Sequence, residues 1–186
     1  MKNIAIFASG SGSNAEAIIS YFKNSSKGRI ALIVSNNENA YVLERAKNHQ
    51  IPYFVHSKTD PINGQLEKKL ETHEIDWIVL AGYLKKIQPS LVAAFPNRIV
   101  NIHPALLPNY GGKGMYGMHV HRAVVENKEK ESGISIHYVN EHYDEGSIIE
   151  QRRCELEEGM SPEAVQKRVM ELEHQYFAPC IERLLT

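Results

Sequence analysis

Asn3-Ile4-Ala5-Ile6-Phe7-Ala8, followed without a break by Ser9-Gly10-Ser11-Gly12-Ser13-Asn14, is the stretch that decides the fold. The apolar run shows no polar alternation, so it reads as a strand covered on both faces, the situation of a parallel sheet between helices. A Gly/Ser loop then gives way to a helical stretch over residues 15–23. Working outward, Ile30-Ala-Leu-Ile-Val34 reads as a second strand. Residues 41–49 form a second helix with Val42, Leu43 and Ala46 on its apolar side, and Pro52-Tyr-Phe-Val55 a short third strand. A charged helix over residues 65–72 and a fourth strand, Trp77-Ile-Val-Leu-Ala81, continue the alternation. This order builds right-handed βαβ units on a parallel sheet.

After Asn101 the pattern changes. Arg98-Ile-Val100 reads as the end of another strand, Ile134-Ser-Ile-His-Tyr-Val139 alternates, and residues 147–154 read as its partner, so antiparallel strands join the sheet here. The turn between those two carries Asp144-Glu-Gly146. Ser161-Pro-Glu-Ala opens a last helix with a good cap and a proline at its first position; it runs to Leu185 with Pro179 as a possible kink. No repeat, linker or low-complexity tract interrupts the chain. The expectation is one α/β, Rossmann-like domain over residues 1–186, with a mostly parallel sheet, helices on both faces and antiparallel strands in the C-terminal part.

Composition narrows the function. A chain of 186 residues has room for one full core. Its net charge of −1 argues against a broad nucleic-acid footprint, so any phosphate site is local. Cys154 and Cys180 lie far apart and form neither a disulfide framework nor a zinc knuckle. No apolar run approaches bilayer length and the N-terminus does not read as a signal peptide, so no membrane partner and a cytoplasmic setting are expected.

Three groups of residues carry chemistry. Residues 9–14 have the small side chains that let backbone N–H groups close on an anion, at a helix N-terminus with its positive end. The same loop fits a loose dinucleotide fingerprint, but Ser35-Asn36-Asn37 stands where an acidic ribose ligand would be needed, so a phosphate monoester is favoured over NAD. The second group is Asn101-Ile-His103-Pro-Ala-Leu-Leu-Pro108, with Asp144 as a partner carboxylate. Two prolines stiffen the turn after His103. An amide and an imidazole can stabilise a developing oxyanion, while a carboxylate orients and charges the imidazole, which suits transfer of an acyl-level carbon. His137 lies mid-strand, facing away from Ile134 and Ile136. Third, His119-Val-His121 invites a metal reading, yet a helix starting there would splay the two rings and no other ligands cluster nearby, so no metal is expected.

The string from Asn101 to Pro108, with Asp144, resembles the signature of the folate-dependent formyltransferases, and the resemblance runs from the first strand to the last helix. It implies transfer of a formyl group from 10-formyltetrahydrofolate to the amine of a glycinamide ribonucleotide in purine synthesis. Asn101, His103 and Asp144 would be catalytic, with His137 in a supporting role. Gly12, Ser13, Asn14 and Glu173 would bind the ribonucleotide. Leu84, Lys85, Lys86, Ile87, Asn101, Asn140, Glu141 and Asp144 would line the folate pocket. The partners implied are these two small molecules, in a monomer or homodimer. Residues 111–118 depart from the short link common in the family; their glycines suggest a mobile loop, and Lys113 could reach a substrate phosphate or carboxylate. A sister formyltransferase or a deformylase would use the same three residues on another acceptor or on water. A dinucleotide-binding oxidoreductase would rest on the glycine loop alone.

Overall fold

The structure, a computed structural model, describes residues 1–56 and 64–186. Among the described residues seven strands form one sheet: β1 (Lys2–Phe7), β2 (Gly28–Ser35), β3 (Tyr53–Val55), β4 (Trp77–Leu80), β5 (Ile99–His103), β6 (Glu131–Tyr138) and β7 (Ile148–Glu155). The described helices are α1 (Ser13–Phe22), α2 (Val42–Asn48), α3 (Gln65–Thr72), α4 (Pro89–Ala94), α5 (Met118–Glu126) and α6 (Pro162–Leu184). In space the strands run β3-β2-β1-β4-β5-β6-β7. Pairing is parallel from β3 to β5 and antiparallel for β5–β6 and β6–β7. The parallel sheet with antiparallel C-terminal members is therefore as the sequence indicates. Among the described residues no helix is long and apolar enough to cross a membrane.

The apolar first strand divides by its period of two. Ile4 and Ile6 face a core built with α1, α2 and α6, while Ala5 and Phe7 face a second one built with α3 and α4. Both cores are needed to cover a sheet whose central strands have no polar face, which is why β1 and β4 are buried throughout apart from Lys2. Ser161 starts α6 by accepting from the Ala164 N–H at 3.2 Å, and Pro162 supplies the first turn. Pro179 lies within α6 and does not end it. Helix α4, between β4 and β5, has no counterpart in the sequence reading. Lys85 and Lys86 lie in the loop before α4, which begins at Pro89.

The chain leaves β1 toward β2 on one side and returns with β4 on the other. The carboxyl ends of β1 and β4 therefore diverge at a switch in strand order, where open α/β sheets hold their ligands.

Candidate active site

A cleft of about 520 Å³ opens at that switch, within the range of small-molecule sites. Residues 9–14 after β1, residues 81–84 after β4, the end of β5, residues 112–117, Asp144 and one side of α6 form its walls. Lys113 is the only lysine or arginine among the described residues lining it.

At one end stands the Gly/Ser loop. Gly12 caps α1 with φ +69°, and a Cβ there would lie 2.6 Å from Val42 Cγ2, so only glycine lets α2 approach this closely. The Val42 N–H donates to the Gly10 carbonyl at 3.1 Å and Arg45 Nε to the Ser11 carbonyl at 2.8 Å. These bonds occupy the loop's carbonyls, while the first N–H groups of α1 lack intrahelical acceptors. Asn14 Nδ2 donates to Glu173 Oε2 at 2.9 Å, and Asn14 Oδ1 is buried with no partner among the described residues. Burial pushes the Glu173 carboxyl above its ordinary value, only partly opposed by Asn14. The sequence pattern alone makes Glu173 a surface charge; α6 instead carries it to the cleft wall beside the loop.

At the centre, Asn101 and His103 share a face of β5 because they are two residues apart. The antiparallel register sets His137 opposite Asn101 and Ser135 opposite His103, so His137 faces as its alternation indicates. The Ser135 hydroxyl is fully buried. It donates to the Ala105 carbonyl at 2.7 Å and accepts from the Leu107 N–H at 2.9 Å and from Gln151 Nε2 at 2.8 Å, so the turn after His103 is fastened to β6 and β7. His137 Nδ1–H donates to the Tyr138 carbonyl at 2.8 Å, which leaves Nε2 to accept from Asn101 Nδ2 at 3.0 Å.

Asp144 reaches this group from the turn after β6. Its φ is +57°, and at Gly146 a Cβ would lie 1.7 Å from the Tyr138 carbonyl oxygen, so the turn folds tightly on the strand end only with glycine there. One Asp144 oxygen accepts from the Gly112 N–H at 2.9 Å and lies 3.6 Å from His103 Nδ1; the other lies 3.6 Å from His137 Nε2. His103 is 4% exposed, and its Nε2–H donates to the Tyr110 carbonyl at 2.7 Å.

The electrostatics correct one expectation. Burial lowers the His103 pKa, and the raising influences of Asp144 and the Tyr110 carbonyl do not fully offset it; His137 lowers it further. The imidazole thus rests below its ordinary value, rather than above it as the neighbouring carboxylate alone would dictate. Burial pushes Asp144 up, but His137, His103 and the Gly112 N–H outweigh it and leave the carboxyl below its usual range.

The cleft gathers Gly12, Ser13, Asn14, Leu84, Asn101, His103, Asp144 and Glu173, and His137 stands behind Asn101. Lys85, Lys86, Ile87, Asn140 and Glu141 are outside its walls. Ile87 is core and, with Lys86, borders a small separate cavity; Asn140 caps its own turn by accepting from the His142 N–H at 2.8 Å. Helix α5 separates His119, which packs against Tyr116, from the buried His121, as the helical reading requires. Among the described residues, no three histidine, cysteine or acidic side chains gather into a metal-holding group. Gln166 and Met170, to which the sequence pattern assigns no role, also line the cleft. The pattern passes over the Tyr110 carbonyl too, because a backbone acceptor has no signature in sequence.

Comparison with known proteins matches residues 2–181 to the family model described as formyl transferase. The chain is 42% identical to the chloroplastic phosphoribosylglycinamide formyltransferase of Arabidopsis thaliana, over 98% of this chain and 67% of that protein. It is 36% identical to the Bacillus subtilis phosphoribosylglycinamide formyltransferase, over 100% of this chain and 95% of that one. It thus spans about two-thirds of the plant relative's length and nearly all of the bacterial one. The crystal structure of glycinamide ribonucleotide transformylase 1 from Geobacillus kaustophilus superposes with a TM-score of 0.91 at 37% identity, covering 100% of both chains.

Proposed function

This chain belongs to the formyl transferase family, and on that premise we propose that it moves the formyl group of 10-formyltetrahydrofolate to the amine of 5-phosphoribosylglycinamide, a step of purine synthesis leading to IMP. The observation that carries this reading is the joining, in one cleft, of the N-terminus of α1 to the Asn101, His103 and Asp144 group. The first turn of α1, with Ser13 and Asn14, takes the phosphate, and Glu173 takes the ribose hydroxyls. Leu84 and the Tyr143–Asp144 part of the turn after β6 flank the folate side. The three central residues all face the space where amine and formyl carbon must meet.

The residue chemistry follows from the resting state. Burial holds His103 below its ordinary pKa and so favours the neutral ring, with its proton on Nε2 and its Nδ1 lone pair toward Asp144. As the amine attacks the formyl carbon, His103 Nδ1 takes up its proton. The imidazolium so formed lies beside the Asp144 carboxylate, which stabilises it, and it returns the proton to the departing nitrogen. Asn101 Nδ2 keeps one N–H on His137 and offers the other to the developing oxyanion. The residues supply proton transfer and positioning for a direct transfer, and no side chain needs to be acylated.

The test incubates purified protein with 10-formyltetrahydrofolate, with and without 5-phosphoribosylglycinamide, following loss of the formyl group. Loss that requires the ribonucleotide supports the reading. Loss without it, with release of formate, makes the chain a deformylase; loss only with a different amine makes it a sister formyltransferase.

A further inference from the structure

The nitrogen of His103 that meets the substrate is fixed from outside the cleft. We propose that Tyr110 is a positioning residue for His103, and that a clasp of Tyr110, Glu129 and Asn127 sets the imidazole tautomer so that Nδ1 is the working nitrogen; the catalytic part of this rests on the formyl-transfer reading above.

A neutral imidazole has one N–H. The acceptor 2.7 Å from His103 Nε2 is a carbonyl oxygen, which cannot donate, so the proton is on Nε2 and Nδ1 carries the lone pair. The direction of that carbonyl depends on Tyr110 holding φ +57°, a left-handed conformation that bulky side chains rarely adopt. Something must hold it there. The Tyr110 hydroxyl donates to Glu129 Oε1 at 2.6 Å and accepts from Asn127 Nδ2 at 2.9 Å, and the ring packs against the larger core.

Asn127 and Glu129 lie just past α5, and the Glu129 N–H donates to the Val124 carbonyl at 3.2 Å, so the clasp is built onto the end of that helix. The other end of α5 lies at the cleft, where His121 is part of the wall. One short helix thus joins the cleft wall to the anchor of the catalytic ring. Asp144 does not perform this task. At 3.6 Å from Nδ1 it is beyond direct hydrogen-bond distance and is itself held by the Gly112 N–H.

Two-bond proton–nitrogen NMR spectra of protein labelled with ¹⁵N-histidine test the tautomer in the resting enzyme, and kinetics test its consequence. Wild type should show His103 as the Nε2–H form alone. Tyr110→Phe and Glu129→Ala should admit the Nδ1–H form and lower kcat about tenfold through misplacement of the ring, with KM for both substrates changed less than about twofold. Glu129→Gln, whose amide oxygen still accepts the tyrosyl proton, should restore both readouts. An unmixed Nε2–H tautomer with wild-type kcat in Tyr110→Phe and Glu129→Ala would overturn the proposal. So would a fall in kcat with the tautomer unchanged, which marks a merely structural role. If wild type shows no formyl transfer, the functional reading fails, while the spectra still decide what Tyr110 does to His103.

Discussion

Single side chains here work against their surroundings. His103 is nearly closed off from water, and burial alone would make it a poor proton acceptor; Asp144 recovers part of that loss. Asp144→Asn keeps the shape and removes the charge. Since the carboxylate raises His103, its removal should move the His103 titration to still lower pH, readable by NMR, and kcat should fall about a hundredfold or more with folate affinity changed far less. An unmoved titration and near-normal kcat would separate His103 from this carboxylate. The sequence made Asn101, His103 and Asp144 legible because a strand end, two prolines and a turn occur together around unusual polar residues. It misjudged the resting charge of His103, since burial depends on what the folded chain stacks over the ring. Lys85 and Lys86 come just after Leu84, where the cleft wall ends, and nothing in the local pattern marks where a loop turns away.

Elements differ in how plainly they are written in the chain. β1, β2 and β4 are continuous apolar runs and are read within a residue or two, whereas α4 has six residues and one buried position, Leu91, too few to show a helical period. The turns that build the site rely on close approach. Gly12→Ala should therefore lower stability by about 1–3 kcal/mol in urea unfolding, because it adds both left-handed strain and a clash with α2. That makes it a poor probe of phosphate binding. Asn14→Ala is the better one: the ribonucleotide KM should rise about tenfold for the loss of one or two polar contacts, with the folate KM nearly constant. An equal rise in both would place the phosphate elsewhere. Gly146→Ala should displace the Asp144 turn from β6, lowering kcat and stability together.

Across the whole molecule, the switch in strand order brings together groups that lie far apart in sequence: the loop after β1, the end of β5, the turn after β6 and the face of α6. Local patterns give the strands and helices; the cleft comes from their spatial order, which periodicity does not give. Folding around this site also has a pH cost. Burial, with His103 nearby, depresses His121 to about 4 from 6.5. Between those values the unfolded chain binds a proton that the folded one refuses, so stability is complete above about 6.5 and falls as the pH drops toward about 4, by up to about 3 kcal/mol. His103, also lowered, adds a slope of the same sign. Urea unfolding at several pH values should show this slope, reduced in His121→Leu; equal slopes would mean His121 is not held neutral. On the proposed function, one cleft carries a formyl group directly from folate to a phosphorylated amine at His103. Carbon-13 NMR with a ¹³C-formyl donor, using wild type and His103→Asn, tests it most directly: the label should pass into the amide of the ribonucleotide in wild type and stay on the folate in the variant, while label in free formate, or transfer by the variant at the wild-type rate, would contradict it.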